Sequence, residues 1–167
     1  GEDAYSFLQS QFSNDLPKDE ETFARYGLWL NVKGRVLADS FIISYEYEDF
    51  YIFSENSKAS FIKEILDAHI IADDVTIEPI QLKGSIFVNL PAANLLSLEL
   101  GLFKEEAEQI RFNHINSNLG TVALFPRKRL DEDGYVFCFT DIKTYYLCKE
   151  VLDKGSVHWI SENEMHL

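Results

Sequence analysis

Residues 24–45 decide the fold, and they read ARYGLWLNVKGRVLADSFIISY. Apolar side chains alternate with polar or small ones along 24–32, and a second apolar-rich run covers 36–45. Alternation with a period of two is typical of a β-strand whose two faces meet different surroundings. Lys33-Gly34 separates the two runs, and glycine adopts the positive φ of a tight turn at little cost. The stretch therefore predicts a β-hairpin with a two-residue turn at Lys33-Gly34.

Such a turn also predicts which residues of the two strands face each other. The facing pairs are Leu30 with Leu37, Leu28 with Asp39, and Tyr26 with Phe41. Because facing residues share one side of the hairpin, Asp39 lies on its most apolar face. An unpaired carboxylate in apolar surroundings is costly, so Asp39 is either part of a functional site or accepts backbone hydrogen bonds at a buried corner. Both interpretations stay open from the pattern alone.

The rest of the chain alternates between helical and strand periods. Helices are predicted at 3–12, 57–69, 92–100 and 141–154, and strands at 50–53, 75–77, 85–89, 109–116, 121–125 and 135–139. Pro91 and Gly101 bracket the third helix, and residues 131–134 predict the last turn. The order contains β-α-β-β-α-β, which is typical of a ferredoxin-like layer. We therefore predict an α+β fold with mainly antiparallel sheets and a ferredoxin-like middle layer.

Charge and composition exclude several classes of function. The chain carries 28 acidic and 15 basic side chains, a formal net charge of -13, which repels polyanionic nucleic acid. Arg127-Lys128-Arg129 is a dense basic cluster, but acidic residues follow at 131–133, which predicts a solvated hairpin tip. The apolar runs are too short for a membrane span, and no secretory signal is visible. We expect a cytoplasmic protein, in the mitochondrial matrix if eukaryotic, that binds neither nucleic acid directly nor a membrane.

The spacing of cysteines and histidines predicts no metal site. Cys138 and Cys148 lack the C-x2-C spacing and lie in apolar segments, so both are predicted to be reduced and buried. The four histidines lack the H-x3-H and H-E-x-x-H patterns of metal-binding helices. They are His69, His114, His158 and His166.

Two stretches of the sequence resemble a known family. Residues 1–15 read GEDAYSFLQSQFSND, and residues 24–39 read ARYGLWLNVKGRVLAD. Both resemble the opening blocks of YgfZ-like folate-binding proteins, a branch of the glycine-cleavage T-protein (aminomethyltransferase) family. The YgfZ-like branch is closer, because true aminomethyltransferases usually carry two glycines and an aspartate pair in the second block. Here Arg35 replaces the second glycine and Ala38 the first aspartate, while Asp39 matches the second.

The resemblance implies a T-protein-like folate-binding fold in three parts. Residues 1–47 would form part of the first folate-binding domain, including the hairpin at 24–45. Residues 48–155 would form a ferredoxin-like α+β domain, and 156–167 a segment returning toward the first domain. The family's K-G-C-[YF]-x-G-Q-E motif would follow residue 167, so the natural protein is expected to continue past this sequence.

The resemblance also implies a cofactor and residues that bind it. The cofactor would be tetrahydrofolate or another folate derivative. Asp39 would lie at the reacting nitrogen of the folate as the catalytic residue. Tyr26 and Leu28 would line the pterin-binding wall together with Asp39.

Three functions are compatible with this resemblance. The first is a folate-binding accessory protein of iron–sulfur protein maturation or repair, with folate and iron–sulfur maturation proteins as partners. The second is a tetrahydrofolate-dependent aminomethyltransferase of the glycine-cleavage type. The third is a non-catalytic interaction module on the same fold, in which Asp39 is structural. Whether the chain catalyses one-carbon transfer therefore stays open from the sequence.

Overall fold

The computed structural model describes residues 1–20, 22–46, 49–99, 113–117, 120–129 and 132–155. These ranges contain the helices α1 (Ala4–Gln11), α2 (Ala59–Asp67), α3 (Leu90–Glu99) and α4 (Ile142–Lys154). They also contain the strands β1 (Phe23–Leu30), β2 (Val36–Glu46), β3 (Asp49–Phe53), β4 (Gly84–Val88), β5 (Asn113–Ser117), β6 (Gly120–Arg129) and β7 (Glu132–Phe139). The predicted α+β fold class is confirmed.

The strands form two antiparallel sheets. The first sheet has the order β1-β2-β3, and the second has the order β4-β7-β6-β5. Strands that follow each other closely in the chain pair as neighbours in β1-β2-β3 and in β5-β6-β7. Strand β4 instead pairs with β7, at the far edge of the second sheet from β5.

The two sheets pack face to face, and helices cover their outer faces. The buried residues between the sheets, which we name the inter-sheet core, are Phe41, Ile43, Phe125, Val136 and Cys138. Helices α1 and α2 cover the outer face of the first sheet, and α3 and α4 cover that of the second. The result is four layers in the order helix, sheet, sheet, helix, so each apolar sheet face is covered. Within the described ranges, no helix has the length and apolar character needed to cross a membrane.

Helix α4 shows how local sequence fixes an element. The carboxylate of Asp141 accepts hydrogen bonds from Thr144 N at 2.9 Å and from Thr144 Oγ1 at 3.2 Å. The backbone hydrogen bond from Thr144 lowers the pKa of Asp141, because it favours the charged carboxylate. Beyond this cap, Cys148 and Leu152 are spaced by one turn and lie buried against the second sheet.

The β1–β2 hairpin has the predicted facing pairs everywhere except near its tip. Tyr26 faces Phe41 and Leu28 faces Asp39, whereas Leu30 faces Val36 and not Leu37. The difference comes from a shift in register after Trp29. This β-bulge leaves the pairs farther from the tip in the predicted register.

The tip itself is a three-residue loop, so the predicted two-residue turn is wrong. Gly34 N donates to Asn31 O at 2.8 Å, and Asn31 N donates to Arg35 O at 2.9 Å. The Asn31 side-chain oxygen also accepts from Lys33 N at 2.9 Å and from Arg35 N at 3.0 Å. Gly34 has a φ of 72°, the left-handed conformation that closes such a loop.

Residues 75–77 do not form the predicted strand. The chain there is held at the start of α1, because Asp74 N donates to Asp3 Oδ2 at 2.8 Å and Asp3 N donates to Asp74 O at 3.4 Å. Val75 and Ile77 still pack against the core beneath α1 and α2. Their alternation therefore reflects burial of one side of an extended segment, not pairing in a sheet.

The second sheet also differs from the ferredoxin-like prediction. Its elements follow the order β4-α3-β5-β6-β7-α4, not β-α-β-β-α-β, because residues 75–77 are not a strand and β3 pairs with β2. The predicted boundary between 47 and 48 therefore separates β3 and α2 from the sheet on which they pack. Strand β7 begins at Glu132, so most of the predicted turn at 131–134 is strand. Gly101, residues 109–112 and the predicted return segment 156–167 lie outside the described residues.

Replacing Gly34 with alanine should lower the free energy of unfolding by about 1 kcal/mol, because an L side chain is strained in the left-handed region. No heavy atom lies within 4 Å of the position that a Cβ would take, so conformational strain is the whole cost. Gly34→Asn is the matched control and should lose less, since asparagine adopts this conformation more readily. Urea denaturation of the three proteins measures the difference. Equal stability of Gly34→Ala and the parent would contradict a left-handed tip.

Candidate functional site

The residues predicted to bind folate lie side by side on one face of the first sheet. Strand β1 carries Tyr26 and Leu28, and strand β2 carries Asp39 opposite Leu28. The Tyr26 hydroxyl donates a hydrogen bond to Asp39 Oδ2 at 3.0 Å. The prediction that Tyr26 and Asp39 share a face is therefore confirmed.

A third polar side chain reaches the same carboxylate from the loop after β3. Asn56 Nδ2 lies 3.4 Å from both Oδ1 and Oδ2 of Asp39. Asp39 is half-buried, and its carboxylate is not left unpaired, because a hydroxyl and an amide donate to it. The Tyr26 hydroxyl orients the carboxylate, and the longer contacts from Asn56 add a weaker restraint.

An apolar surface continues from Asp39 to the hairpin tip. The second sheet covers the Phe41 end of this face, and the tip projects past it. Leu30 is 41% exposed, Val36, which faces it, is 59% exposed, and Leu28 is half-buried. We name these three side chains the hairpin ledge. A flat apolar ledge beside an oriented carboxylate suits a planar heterocycle that carries N–H donors.

The chain after α1 supports this face along the free edge of β1. Ser13 N donates to Leu28 O at 3.1 Å, and Leu28 N donates to Ser13 Oγ at 2.8 Å. Asn14 Nδ2 donates to Tyr26 O at 2.9 Å. These bonds satisfy backbone groups that an edge strand would otherwise expose. The two stretches that resemble the family, 1–15 and 24–39, therefore meet at one hairpin.

Arg127 is buried, so the prediction of a solvated tip is wrong for this residue of the basic cluster. The residue is only 7% exposed. Its Nη2 donates to Glu55 Oε2 at 3.1 Å. Its Nε lies 2.8 Å from Glu55 Oε1 but makes no hydrogen bond within the described residues. Its guanidinium carbon lies 4.4 Å from the centroid of the Phe87 ring. This ion pair joins the second sheet to the loop after β3, next to Asn56.

The burial of Arg127 had a signal in the sequence. Phe125 precedes it by two residues on β6, and side chains two apart on a strand point to the same face. Because Phe125 lies in the inter-sheet core, Arg127 points to the same side. The acids at 131–133 suggested a solvated tip instead. The partner Glu55 lies 72 residues away, and no local pattern indicates it.

A cavity of about 340 Å³ lies beside β3, away from Asp39. Residues 50–53 form one wall, residues 75–80 form another, and part of the inter-sheet core lines it as well. Its volume is within the range of small-ligand pockets. None of the three residues predicted to bind folate lines it, so the Tyr26–Asp39 face is a wall separate from this cavity.

Both cysteines are buried and free, as predicted. Burial raises the pKa of each thiol to about 12, and the Glu55 carboxylate adds to this effect at Cys138. Neither thiol is therefore an activated nucleophile. Within the part of the chain that the structure describes, no three His, Cys, Asp or Glu side chains are grouped to hold a metal ion. His69 Nδ1 lies 2.8 Å from the backbone oxygen of Ile65, while His158 and His166 lie outside the described residues.

Comparison of the sequence with models of known protein families and with curated proteins finds no match. The resemblance to the YgfZ-like branch therefore depends on the two stretches quoted above. The geometry of the Tyr26–Asp39 face is the structural observation on which a functional proposal can build.

Removing a buried thiol should change how stability depends on pH. Unfolded cysteines lose their protons above about pH 9, whereas the buried thiols keep theirs up to about pH 12. Between these values the unfolded state binds fewer protons, so the free energy of unfolding falls as pH rises. For Cys148→Ala this fall should be smaller by about 1.4 kcal/mol per pH unit.

Urea denaturation of the parent and Cys148→Ala at several values between pH 9 and pH 11 measures the two slopes. The other titrating groups are common to both proteins, so the difference isolates one thiol. Parallel curves would show that Cys148 titrates alike in the folded and unfolded states and would contradict its burial.

Proposed function

We propose that this chain binds a reduced folate on the face formed by Tyr26, Leu28 and Asp39. The proposal includes a T-protein-like fold and a role as a YgfZ-like accessory protein in iron–sulfur protein maturation or repair. The observation that supports it best is the 3.0 Å hydrogen bond from Tyr26 to Asp39, two half-buried residues at the margin of the inter-sheet core. Two residues that the resemblance assigns to folate thus meet in a geometry that a pterin can use.

Each group on this face has a role that follows from its chemistry. The hairpin ledge offers apolar area for one side of the pterin ring. The Asp39 carboxylate accepts hydrogen bonds from ring N–H groups. A fixed carboxylate also stabilises positive charge at the folate nitrogen that carries a one-carbon unit, because it needs no reorientation as charge develops.

The aminomethyltransferase alternative is not decided by the two departures from that family's pattern. Arg35 is exposed in the tip loop. Ala38 is only 5% exposed and packs on the opposite face of the hairpin, beneath the helices. Neither replacement alters a group beside Asp39. The accessory role is therefore proposed because residues 33–39 resemble the YgfZ-like branch. The proposal that this face binds folate applies equally to the aminomethyltransferase branch.

One observation favours the non-catalytic alternative. Asp39 is held by both Tyr26 and Asn56, as a carboxylate with a structural role would be. A structural carboxylate contributes to stability, whereas a binding carboxylate contributes to affinity. Measurements of both quantities on the same variants separate the two roles.

Titration of this chain with tetrahydrofolate, followed by 1H–15N NMR, should shift the backbone resonances of Tyr26, Leu28 and Asp39. Binding should be weak, because one wall encloses less of a ligand than a cleft does. Asp39→Asn keeps the shape and removes the charge, and it should weaken binding about tenfold, the effect of one charge-assisted hydrogen bond. Tyr26→Ala should weaken binding similarly and also lower Tm.

The matched control is Tyr146→Ala, which removes a tyrosine ring that is 62% exposed on α4, far from the hairpin. It should bind as the parent does. If tetrahydrofolate leaves the three resonances unchanged, or if Asp39→Asn and Tyr26→Ala bind as well as the parent, the folate proposal is wrong. A loss of Tm without a loss of affinity in Asp39→Asn would support the structural role.

A further inference from the structure

We infer that Arg127 is a positioning residue for Asp39 and acts through the loop between β3 and α2. The inference rests on the proposed folate site, because it assigns Arg127 to the geometry of that site. Arg127 itself belongs to strand β6 of the second sheet and not to the hairpin.

The orientation of Arg127 is fixed from two sides. The guanidinium faces both carboxylate oxygens of Glu55, at 2.8 Å and 3.1 Å, and lies over the Phe87 ring at 4.4 Å. One hydrogen bond, one close ionic contact and the ring beneath the guanidinium together restrict its rotation. Because the side chain is only 7% exposed, water does not replace either contact. Arg127 thus fixes the place of Glu55.

Glu55 and Asn56 are consecutive residues whose side chains contact different sheets. Glu55 pairs with Arg127 of the second sheet, and Asn56 Nδ2 contacts Asp39 of the first. The loop is closed locally, since Ser57 N donates to Ser54 Oγ at 3.0 Å. Because Glu55 and Asn56 are adjacent in this closed loop, we expect a displacement of Glu55 to move Asn56 with it.

The contacts between Asn56 and Asp39 are sensitive to such a displacement. Both are 3.4 Å long, at the outer limit of a hydrogen bond. The Tyr26 contact at 3.0 Å lies within one hairpin and does not depend on the loop. Arg127 therefore determines whether the Asn56 amide in the loop reaches the Asp39 carboxylate.

The test compares Arg127→Met, Arg127→Lys and Glu55→Gln with the parent. The first readout is the pair of side-chain amide resonances of Asn56 in 1H–15N spectra. Arg127→Met should move these resonances toward the values of an asparagine whose amide donates only to water, and Glu55→Gln should move them in the same direction. Arg127→Lys keeps a cation and should give an intermediate shift. The second readout is tetrahydrofolate affinity, which should fall about fivefold in Arg127→Met, the effect of one hydrogen bond.

The matched control is Ile43→Ala, which removes apolar volume from the same inter-sheet core at a residue only 2% exposed. It should lower Tm while leaving the Asn56 amide resonances in place. If Arg127→Met does not fold, Glu55→Gln provides the same test, because it removes only the charge of the partner. Unchanged Asn56 resonances in Arg127→Met or in a folded Glu55→Gln would overturn the inference. Failure of the parent to bind tetrahydrofolate would overturn the folate proposal instead, and the Asn56 resonances would still decide the positioning link.

Discussion

Phe125 of β6 packs against both Phe41 of β2 and Phe53 of β3, with ring centroids 5.7 Å and 5.3 Å apart. These rings are the middle of the inter-sheet core, where the apolar face of each sheet covers the other. The packing also determines how much of the hairpin face the second sheet covers. Sheet contact covers the Phe41 end of the hairpin, and the hairpin ledge stands beyond it with Asp39 at the border. The candidate site exists because the two sheets overlap only in part.

The border of this core is polar, and its charges are paired. A buried cation loses hydration, and Arg127 recovers part of that free energy through Glu55 and through the face of Phe87. Asp39 is half-buried and accepts hydrogen bonds from the Tyr26 hydroxyl and the Asn56 amide. Glu55 instead pairs with the buried guanidinium of Arg127. The two carboxylates therefore have different surroundings, although Glu55 and Asn56 are neighbours in the loop after β3.

The hairpin could be predicted from the sequence because its information is local. The period of two along 24–45 predicted both strands. The predicted pairs of Tyr26 with Phe41 and of Leu28 with Asp39 are correct although the predicted turn is wrong, because the bulge after Trp29 compensates for the longer loop. The strand predicted at 75–77 is wrong for a different reason. Alternation shows only that one side of an extended segment is buried. The hydrogen bond between Asp74 and Asp3 holds this segment at α1. These two residues are far apart in the sequence, so no local pattern indicates the contact.

The two free thiols lie in different cores, Cys138 between the sheets and Cys148 between the second sheet and α4. Cys148 is fully buried, so a thiol reagent reacts with it only after α4 leaves the second sheet. Cys138 borders the cavity beside β3, so its rate of labelling reports access to that cavity as well as separation of the sheets. The chain thus carries two native reporters, one for the α4 contact and one for the cavity side of the inter-sheet core.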